Sequence, residues 1–327
     1  MVPAEASASA SIIPHGSLSG RAGGAAMMLD ATGIVLAARR PHPVPTALVG
    51  AGGAAALEGA RRAHNAGLIT PILVGCPATV HGLAIAMGWD ISGLQVVHAD
   101  TDDDAAAASV SLVRAGEAAA LMKGHLHTDV LLRAVLDKAH GLRTGRRLTH
   151  VFHMTLDARF KPLLITDAAV NVAPDHRTLC DIVLNAADLA RLLGLACPRI
   201  AMISGTEEVT ASMPSSERAG QVVDELRSVL RGQAELDGPL ALDNAVSADA
   251  ARLKGIGGNV AGQADILVVP NIETGNALFK AMVFFQGAVA AGVVLGAKVP
   301  IMLNSRSDPP DARLVSAALA SLYSAPH

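Results

Sequence analysis

The sequence predicts an α/β protein, on three observations. Short apolar runs alternate with helical stretches along most of the chain. Of its 327 residues 51% are hydrophobic and 2% aromatic, so the apolar content comes mainly from Ala, Val, Leu and Ile. That much apolar residue can bury a core against the entropy of the chain, which excludes disorder. At about 100 to 200 residues per domain, the length fits two domains or one large α/β unit.

The elements follow in order. Roughly the first 40 residues, rich in Ala, Gly, Ser and Pro, read as a loose lead-in. Thr46 to Val49 is an apolar run, Gly-rich residues 50–53 follow it, and Ala54 to Ala66 has helical character. Pro71 to Gly75 then completes strand, helix and strand, the signature of a parallel βαβ unit. The pattern recurs as a strand over Leu94 to His98, a helix over Ala105 to Gly116, a strand over Ala118 to Met122 and a helix from about Asp129 to Ala139. Later strands are expected at Leu163 to Thr166, Ile200 to Ser204, Ile266 to Val269 and Val299 to Leu303.

Composition narrows the function. No stretch approaches the roughly 18 uninterrupted apolar residues of a membrane span. Lys plus Arg number 26 against 29 Asp plus Glu, a net charge of -3, so no basic excess draws a nucleic acid. The three cysteines, Cys76, Cys180 and Cys197, form no Cys-x-x-Cys pair and fit a reducing, cytoplasmic setting. Met1 to Ser11 lacks the positive start and apolar middle of a secretory signal.

Loops that leave the carboxyl ends of strands are where α/β chains place ligands. Three are polar and lead into helices: Lys123-Gly-His-Leu-His-Thr128, Asn271-Ile-Glu-Thr-Gly-Asn276 and Asn304-Ser-Arg-Ser-Asp308. In the last, Asp308 can cap the next helix, Pro309 suits its first turn, and Asp311 falls at the third helical position. Ser305 and Arg306 precede that helix start, where free N–H groups and a guanidinium can grip a phosphate. The alternative is a solvated Arg306, with Asp311 serving only the helix dipole, and this loop leaves both readings open. In the middle loop Gly275 permits a tight turn, Asn276 can cap a helix, and Lys280 lies one turn further in. The first loop offers Lys123, His125, His127 and Thr128, with Arg133 on the helix that Thr128 caps. His125 with His127, and His150 with His153, are weak metal pairs that lack a third ligand, and satisfied or surface histidines explain them better.

Gly50-Ala-Gly52-Gly-Ala-Ala55 formally fits a dinucleotide fingerprint. The ribose-binding acid that should follow is missing, because no Asp or Glu occurs between Glu58 and Asp90. Tight packing of helix on strand explains the segment better. The Gly-x-Ser-x-Gly elbow of a Ser hydrolase is absent.

Together the three loops resemble those of the phosphate acetyltransferase and phosphate butyryltransferase family, which moves acyl groups between coenzyme A and inorganic phosphate. The resemblance runs from about Pro45 to Tyr323. Its most specific pieces are Asp237-Gly-Pro-Leu-Ala-Leu-Asp-Asn-Ala-Val-Ser247, Val260 to Asn276 with Lys280, and Leu303-Asn-Ser-Arg306. It implies two α/β domains flanking a cleft, like isocitrate and isopropylmalate dehydrogenases, with residues 1–157 and 298–327 in one domain and 158–297 in the other. It also implies a homodimer, with coenzyme A as co-substrate, acyl-CoA, phosphate and acyl phosphate as the small-molecule partners, and no resident cofactor or metal.

By that resemblance Asp311 takes the thiol proton, while Ser305 and Arg306 stabilise the reacting acyl phosphate. Asp308-Pro-Pro-Asp311 is one residue shorter than the usual family spacing, so Asp308 competes for the role of base. Thr128 and Arg133 fall on positions lining the phosphate pocket, and Asn271, Gly275, Asn276, Lys280 and Asn304 join the phosphate and coenzyme A contacts. A cysteine often found near the cleft corresponds to Thr155, which argues against an acyl-cysteine route. Two rivals remain at this level: a metal- and NAD-dependent dehydrogenase of a phosphorylated hydroxy acid on the same fold, and a non-catalytic sensor of coenzyme A or acyl phosphate.

Overall fold

The first apolar run becomes β1 (Val44–Val49) and the second β2 (Ile69–Gly75), parallel from the pair Val44 and Ile69 to the pair Val49 and Val74. They are joined by α2 (Ala54–Asn65), whose Leu57, Ala60 and Ala63 are buried against the sheet. The computed structural model describes residues 27–303 and 308–324. The alternation continues through α3 (Pro77–Ala86), β3 (Val96–His98), α4 (Asp102–Arg114), β4 (Ala120–Lys123) and α5 (Thr128–Leu136). Thr101 caps α4 by accepting from the Asp104 N–H, and Asp102, Asp103 and Asp104 set negative charge against the positive end of its dipole.

The second half of the chain contributes β6 (Leu163–Thr166), α6 (His176–Leu192), β7 (Arg199–Ile203), α7 (Pro214–Val229), α8 (Leu242–Val246), α9 (Ala248–Leu253), β9 (Ile266–Val268) and α10 (Ile272–Gln286). The short β11 (Ile301–Met302) and α11 (Pro310–Tyr323) close it. Three further strands lie outside the sequence expectation: β5 (Thr149–Thr155), β8 (Glu235–Leu240) and β10 (Val289–Leu295). The lead-in is corrected as well. Residues 31–38 form α1, capped by Asp30, whose Oδ1 accepts from Gly33 N at 2.7 Å. Ile34 and Ala38 on this helix are fully buried where it packs against α11, so burial holds it where composition alone suggested looseness. Residues 1–26 lie outside the described residues.

Among the described residues the eleven strands belong to one sheet in the order β3-β2-β1-β4-β11-β10-β5-β6-β9-β7-β8. The block from β3 to β11 is parallel, and so is the block from β6 to β8. Between them β10 and β5 are antiparallel to each other and to their outer neighbours. Three successive antiparallel steps leave the two blocks pointing in opposite directions. The carboxyl ends of β1, β4 and β11 therefore lie at one edge of the sheet, and those of β6, β9 and β7 at the other.

The two faces differ. One is covered end to end by a continuous apolar layer that includes Ile34, Leu57, Val80, Leu189, Val222 and Leu319. On the other face the layer is split in two. One cluster takes Val110, Leu131 and Val135 from α4 and α5. A separate cluster gathers Ala245 of α8, with Leu278, Phe279 and Met282 of α10 packed against it.

Candidate active site

The first loop is stitched to the turn after β1. Gly124 N donates to Val49 O at 2.8 Å and His125 N to Gly50 O at 2.7 Å. Gly50 has a φ of 75°, and a Cβ on Gly53 would stand 2.7 Å from the His125 Cβ. Gly50 and Gly53 thus make room for the neighbouring loop. A cavity of about 420 Å³ opens here, with Gly53, Lys123, His125 and Arg313 among its lining residues.

The helix starts differ from the sequence expectation. Thr128 is the first residue of α5 and His127 holds the cap position, with no side-chain cap. Thr128 and Arg133 are both exposed, and Arg133 meets Asp129 at 3.4 Å. That surface pair restrains Arg133 only weakly. The helix after the middle loop begins at Ile272, not beyond Asn276: Asn271 is its cap, with Oδ1 accepting from Thr274 N at 2.9 Å. The Asx cap outcompeted the glycine turn. Gly275 is buried inside α10, where a Cβ would come within 2.7 Å of the Ala168 Cβ. Asn276 Nδ2 reaches Ala168 O at 3.5 Å, and Lys280 is exposed further along the helix. In the last segment α11 starts at Pro310 with Pro309 at the cap position and no side-chain cap. Asp308 is therefore not the capping residue, and Asp311 falls at the second helical position. Asn304, Ser305 and Arg306 lie outside the described residues.

Asp311 is exposed and lines a cavity of about 630 Å³ that also takes in Arg39, Thr155 and Asp157. Thr155, at the end of β5, accepts from Ala31 N at 2.9 Å. The sheet directions add a correction: Thr128 and Asp311 belong to the edge where β4 and β11 end, whereas Asn271 belongs to the opposite edge, where β9 ends. The 15 residues of α10 run back along the sheet and carry Lys280 towards the first edge.

Sequence reasoning missed the turn after β6. Asp167 is buried, and its Oδ1 accepts from Ala169 N and Val170 N at 3.0 and 2.9 Å. Its Oδ2 accepts from Asn171 Nδ2 at 2.6 Å and His150 N at 3.1 Å. This turn meets α10 through Ile272 N, which donates to Val172 O at 3.0 Å. The signal was an Asp and an Asn four residues apart just after an apolar strand.

His150 and His153 are not a pair, because they point to opposite faces of β5. His153 Nε2 lies 2.8 Å from Leu29 O on the continuous face. On the split face the His150 ring meets Phe152 at 4.2 Å between centroids, and Phe152 stacks on Phe279 of α10 at 4.1 Å. A Cβ on Gly292 of β10 would be 2.5 Å from the His150 ring. Burial lowers both histidines to a pKa of about 4, against the opposing charge of Asp167 for His150 and the Leu29 carbonyl for His153. Both rings stay neutral in the fold, so the unfolded chain binds more protons between about pH 6.5 and 4. Their contribution is complete above the unfolded value of 6.5 and fades as pH falls through that window, by roughly 3 kcal/mol for each ring. Imidazole resonances that titrate only near pH 4 are the expected NMR result. Titration near 6.5 in the folded protein would refute it.

The model of the phosphate acetyl/butaryl transferase family matches residues 97–321. A phosphate acetyltransferase of Rhizobium meliloti is 45% identical over 295 residues, 89% of this chain and 92% of that protein. A phosphate butyryltransferase of Clostridium acetobutylicum is 37% identical over 81% of this chain and 88% of its own length. Among solved structures, a branched-chain phosphotransacylase from Enterococcus faecalis superposes with a TM-score of 0.74 at 32% identity, covering 87% of this chain and 100% of that one. The chain belongs to the phosphate acetyl/butaryl transferase family.

Proposed function

We propose that the chain moves a short acyl group, acetyl to butyryl, between coenzyme A and inorganic phosphate by direct exchange in a ternary complex. The observation that supports this most is the reach of the family match, from residue 97 to residue 321, which takes in the first loop, the Asp167 turn, α10 and Asp311. In the proposed architecture two α/β domains flank a cleft, as in isocitrate and isopropylmalate dehydrogenases. Residues 1–157 with 298–327 form one domain and 158–297 the other. The split apolar layer supports a cleft between α5 and α10, floored by the antiparallel strands β10 and β5.

In this reading Asp311 removes the proton from the coenzyme A thiol, and the thiolate attacks the carbonyl carbon of the acyl phosphate. Ser305 donates to the carbonyl oxygen as it gains charge. The bond from carbon to phosphate oxygen then breaks, and phosphate leaves with its electron pair and takes up the proton. Arg306, Arg133, Thr128 and Lys280 bind that phosphate together with Asn304, while Asn271, Gly275 and Asn276 act on the site only through the start and packing of α10, the helix that carries Lys280. Coenzyme A acts as co-substrate, and no step calls for a metal or a resident cofactor. The free thiols of Cys76, Cys180 and Cys197 fit a cytoplasmic protein, and among the described residues no helix is long and apolar enough to cross a membrane. Exposed Phe160, Leu253, Phe284 and Phe285 support a homodimer that covers them.

The first test is phosphate-dependent release of free thiol from acetyl-, propionyl- and butyryl-CoA, with a control lacking phosphate. Folded protein that binds coenzyme A and stays silent would sink the reading. Arg306→Ala is expected to lower kcat/KM about 100-fold or more, because a charge-assisted contact to the transferring phosphate is lost. Full activity in that variant would refute the assigned site.

A further inference from the structure

The three free thiols sit in unlike surroundings: Cys76 and Cys197 are exposed, and Cys180 is buried in α6. His176 stands one turn earlier, as the first residue of that helix. Residues four apart share a helix face, and this one meets α7, which presents Glu225. His176 Nε2 is in contact with Glu225 Oε2 and lies 3.8 Å from Cys180 Sγ. The nitrogen, sulfur and oxygen donors all lie within 4.8 Å of one another. The acyl-transfer chemistry above uses none of these residues.

A surface ion pair of His176 with Glu225 would account for only part of this. It needs a doubly protonated ring, yet His176 Nδ1 is buried and has no hydrogen-bond partner among the described residues. A charged N–H left there without an acceptor is costly, which favours the neutral ring, the form that binds metals. The ion pair also leaves unexplained why a thiol stands within ligand range of both partners.

Spacing and donor softness choose the cation. Zinc bonds of about 2.0 Å to nitrogen and about 2.3 Å to sulfur give a tetrahedral nitrogen-to-sulfur edge of about 3.5 Å. The observed separation of 3.8 Å is close to that. Glu225, whose side chain is 57% exposed, has room to open outwards and take its place in the tetrahedron. Thiolate and imidazole select zinc over magnesium or calcium, which prefer oxygen donors. Thiolate and carboxylate together also balance the two charges of the ion.

We propose that His176, Cys180 and Glu225 bind one zinc ion, with water as the fourth ligand, and so clip α6 to α7. Binding releases the thiol proton to solvent. The site goes beyond the acyl-transfer reading and stands or falls independently of it.

The test uses the full chain stripped of metal with a chelator and titrated with Co²⁺, then with Zn²⁺. One equivalent of Co²⁺ is expected to give a thiolate-to-cobalt charge-transfer absorption and tetrahedral d–d bands, which Zn²⁺ then displaces. Cys180→Ser should abolish the charge-transfer band. Should that buried substitution unfold the chain, Glu225→Gln, at an exposed position, decides the matter. Outer-shell partners of a metal are worth about 10- to 100-fold in affinity, so loss of a direct ligand should weaken Zn²⁺ binding by about 100-fold or more. Zn²⁺ at a hundredfold excess over its Kd should raise Tm by about 4 °C in wild type, and by much less in Glu225→Gln at the same concentration. The double substitution Cys76→Ser with Cys197→Ser should leave both readouts intact. A Co²⁺ titration without charge-transfer absorption would reduce the cluster to a His–Glu pair beside a thiol and overturn the site. So would a band that survives in Cys180→Ser, a band lost with Cys76 and Cys197, or unchanged Zn²⁺ affinity in Glu225→Gln.

Discussion

Asp311→Asn is expected to lower kcat for acyl transfer to coenzyme A by about 10²- to 10⁴-fold, the usual contribution of a positioned general base. Asparagine has nearly the same shape and cannot accept the thiol proton. The carboxylate is exposed in the first turn of α11 and makes no hydrogen bond or ion pair among the described residues, so its loss costs little stability beyond about 0.3 to 1 kcal/mol of dipole interaction. The melting temperature should therefore barely move while the rate collapses. The deficit should also shrink as pH rises, since more of the thiol then ionises without help. Asp308→Asn is the paired control. The main-chain oxygen of Asp308 accepts from Arg313 Nε at 3.2 Å, a contact that asparagine keeps, and in the assigned mechanism Asp308 takes no proton. Its rate should stay within a few-fold of wild type. The opposite pattern, with Asp308→Asn inactive and Asp311→Asn active, would transfer the role of base to Asp308.

The same segment shows how far the sequence could be read. Elsewhere the strands were legible where β-branched and Leu residues run up to a glycine or from a proline, as in β1, β2 and β6. The strand β5 was not, because Thr149-His-Val-Phe-His-Met-Thr155 puts histidines at buried positions on both faces. Only tertiary packing makes that tolerable: the Leu29 carbonyl meets one ring, and the other lies against Phe152. The strand β10, Val-Ala-Ala-Gly-Val-Val-Leu, has small residues that suit a helix equally well, and its Gly292 is explained only by the His150 ring across the strand. The helix starts were misread residue by residue: the cap expected at Asn276 stands at Asn271, His127 rather than Thr128 holds the cap position of α5, and Pro309 rather than Asp308 that of α11. The edge of the sheet that each loop leaves was not legible either, because it depends on the two antiparallel strands that went unread. For the same reason the grouping of Arg143 and Arg147 with Arg177 around one cavity was invisible, since they come together only when the start of β5 meets α6.

Gly124→Ala is expected to destabilise the fold by about 3 to 5 kcal/mol, the sum of backbone overpacking and two weakened hydrogen bonds. A Cβ at this position would lie 2.2 Å from Gly50 O and 2.5 Å from Val49 O. Those two carbonyls are the ones that accept from His125 N and Gly124 N, so the added carbon cannot be relieved by turning a side chain. Either the loop lifts off the end of β1 or β1 parts from β4. A fall in melting temperature of about 4 to 7 °C is expected for a chain of this length. Gly82→Ala is the contrast, because nothing lies within 4 Å of its Cβ position and it sits inside α3. Relieving a helix of glycine there should stabilise by up to about 1 kcal/mol. The loop that Gly124 anchors leads directly into Thr128 at the start of α5, so any Gly124→Ala protein that folds should also show a raised KM for phosphate. Wild-type stability in Gly124→Ala would mean that the close approach of this loop to β1 is not what fixes α5 in place.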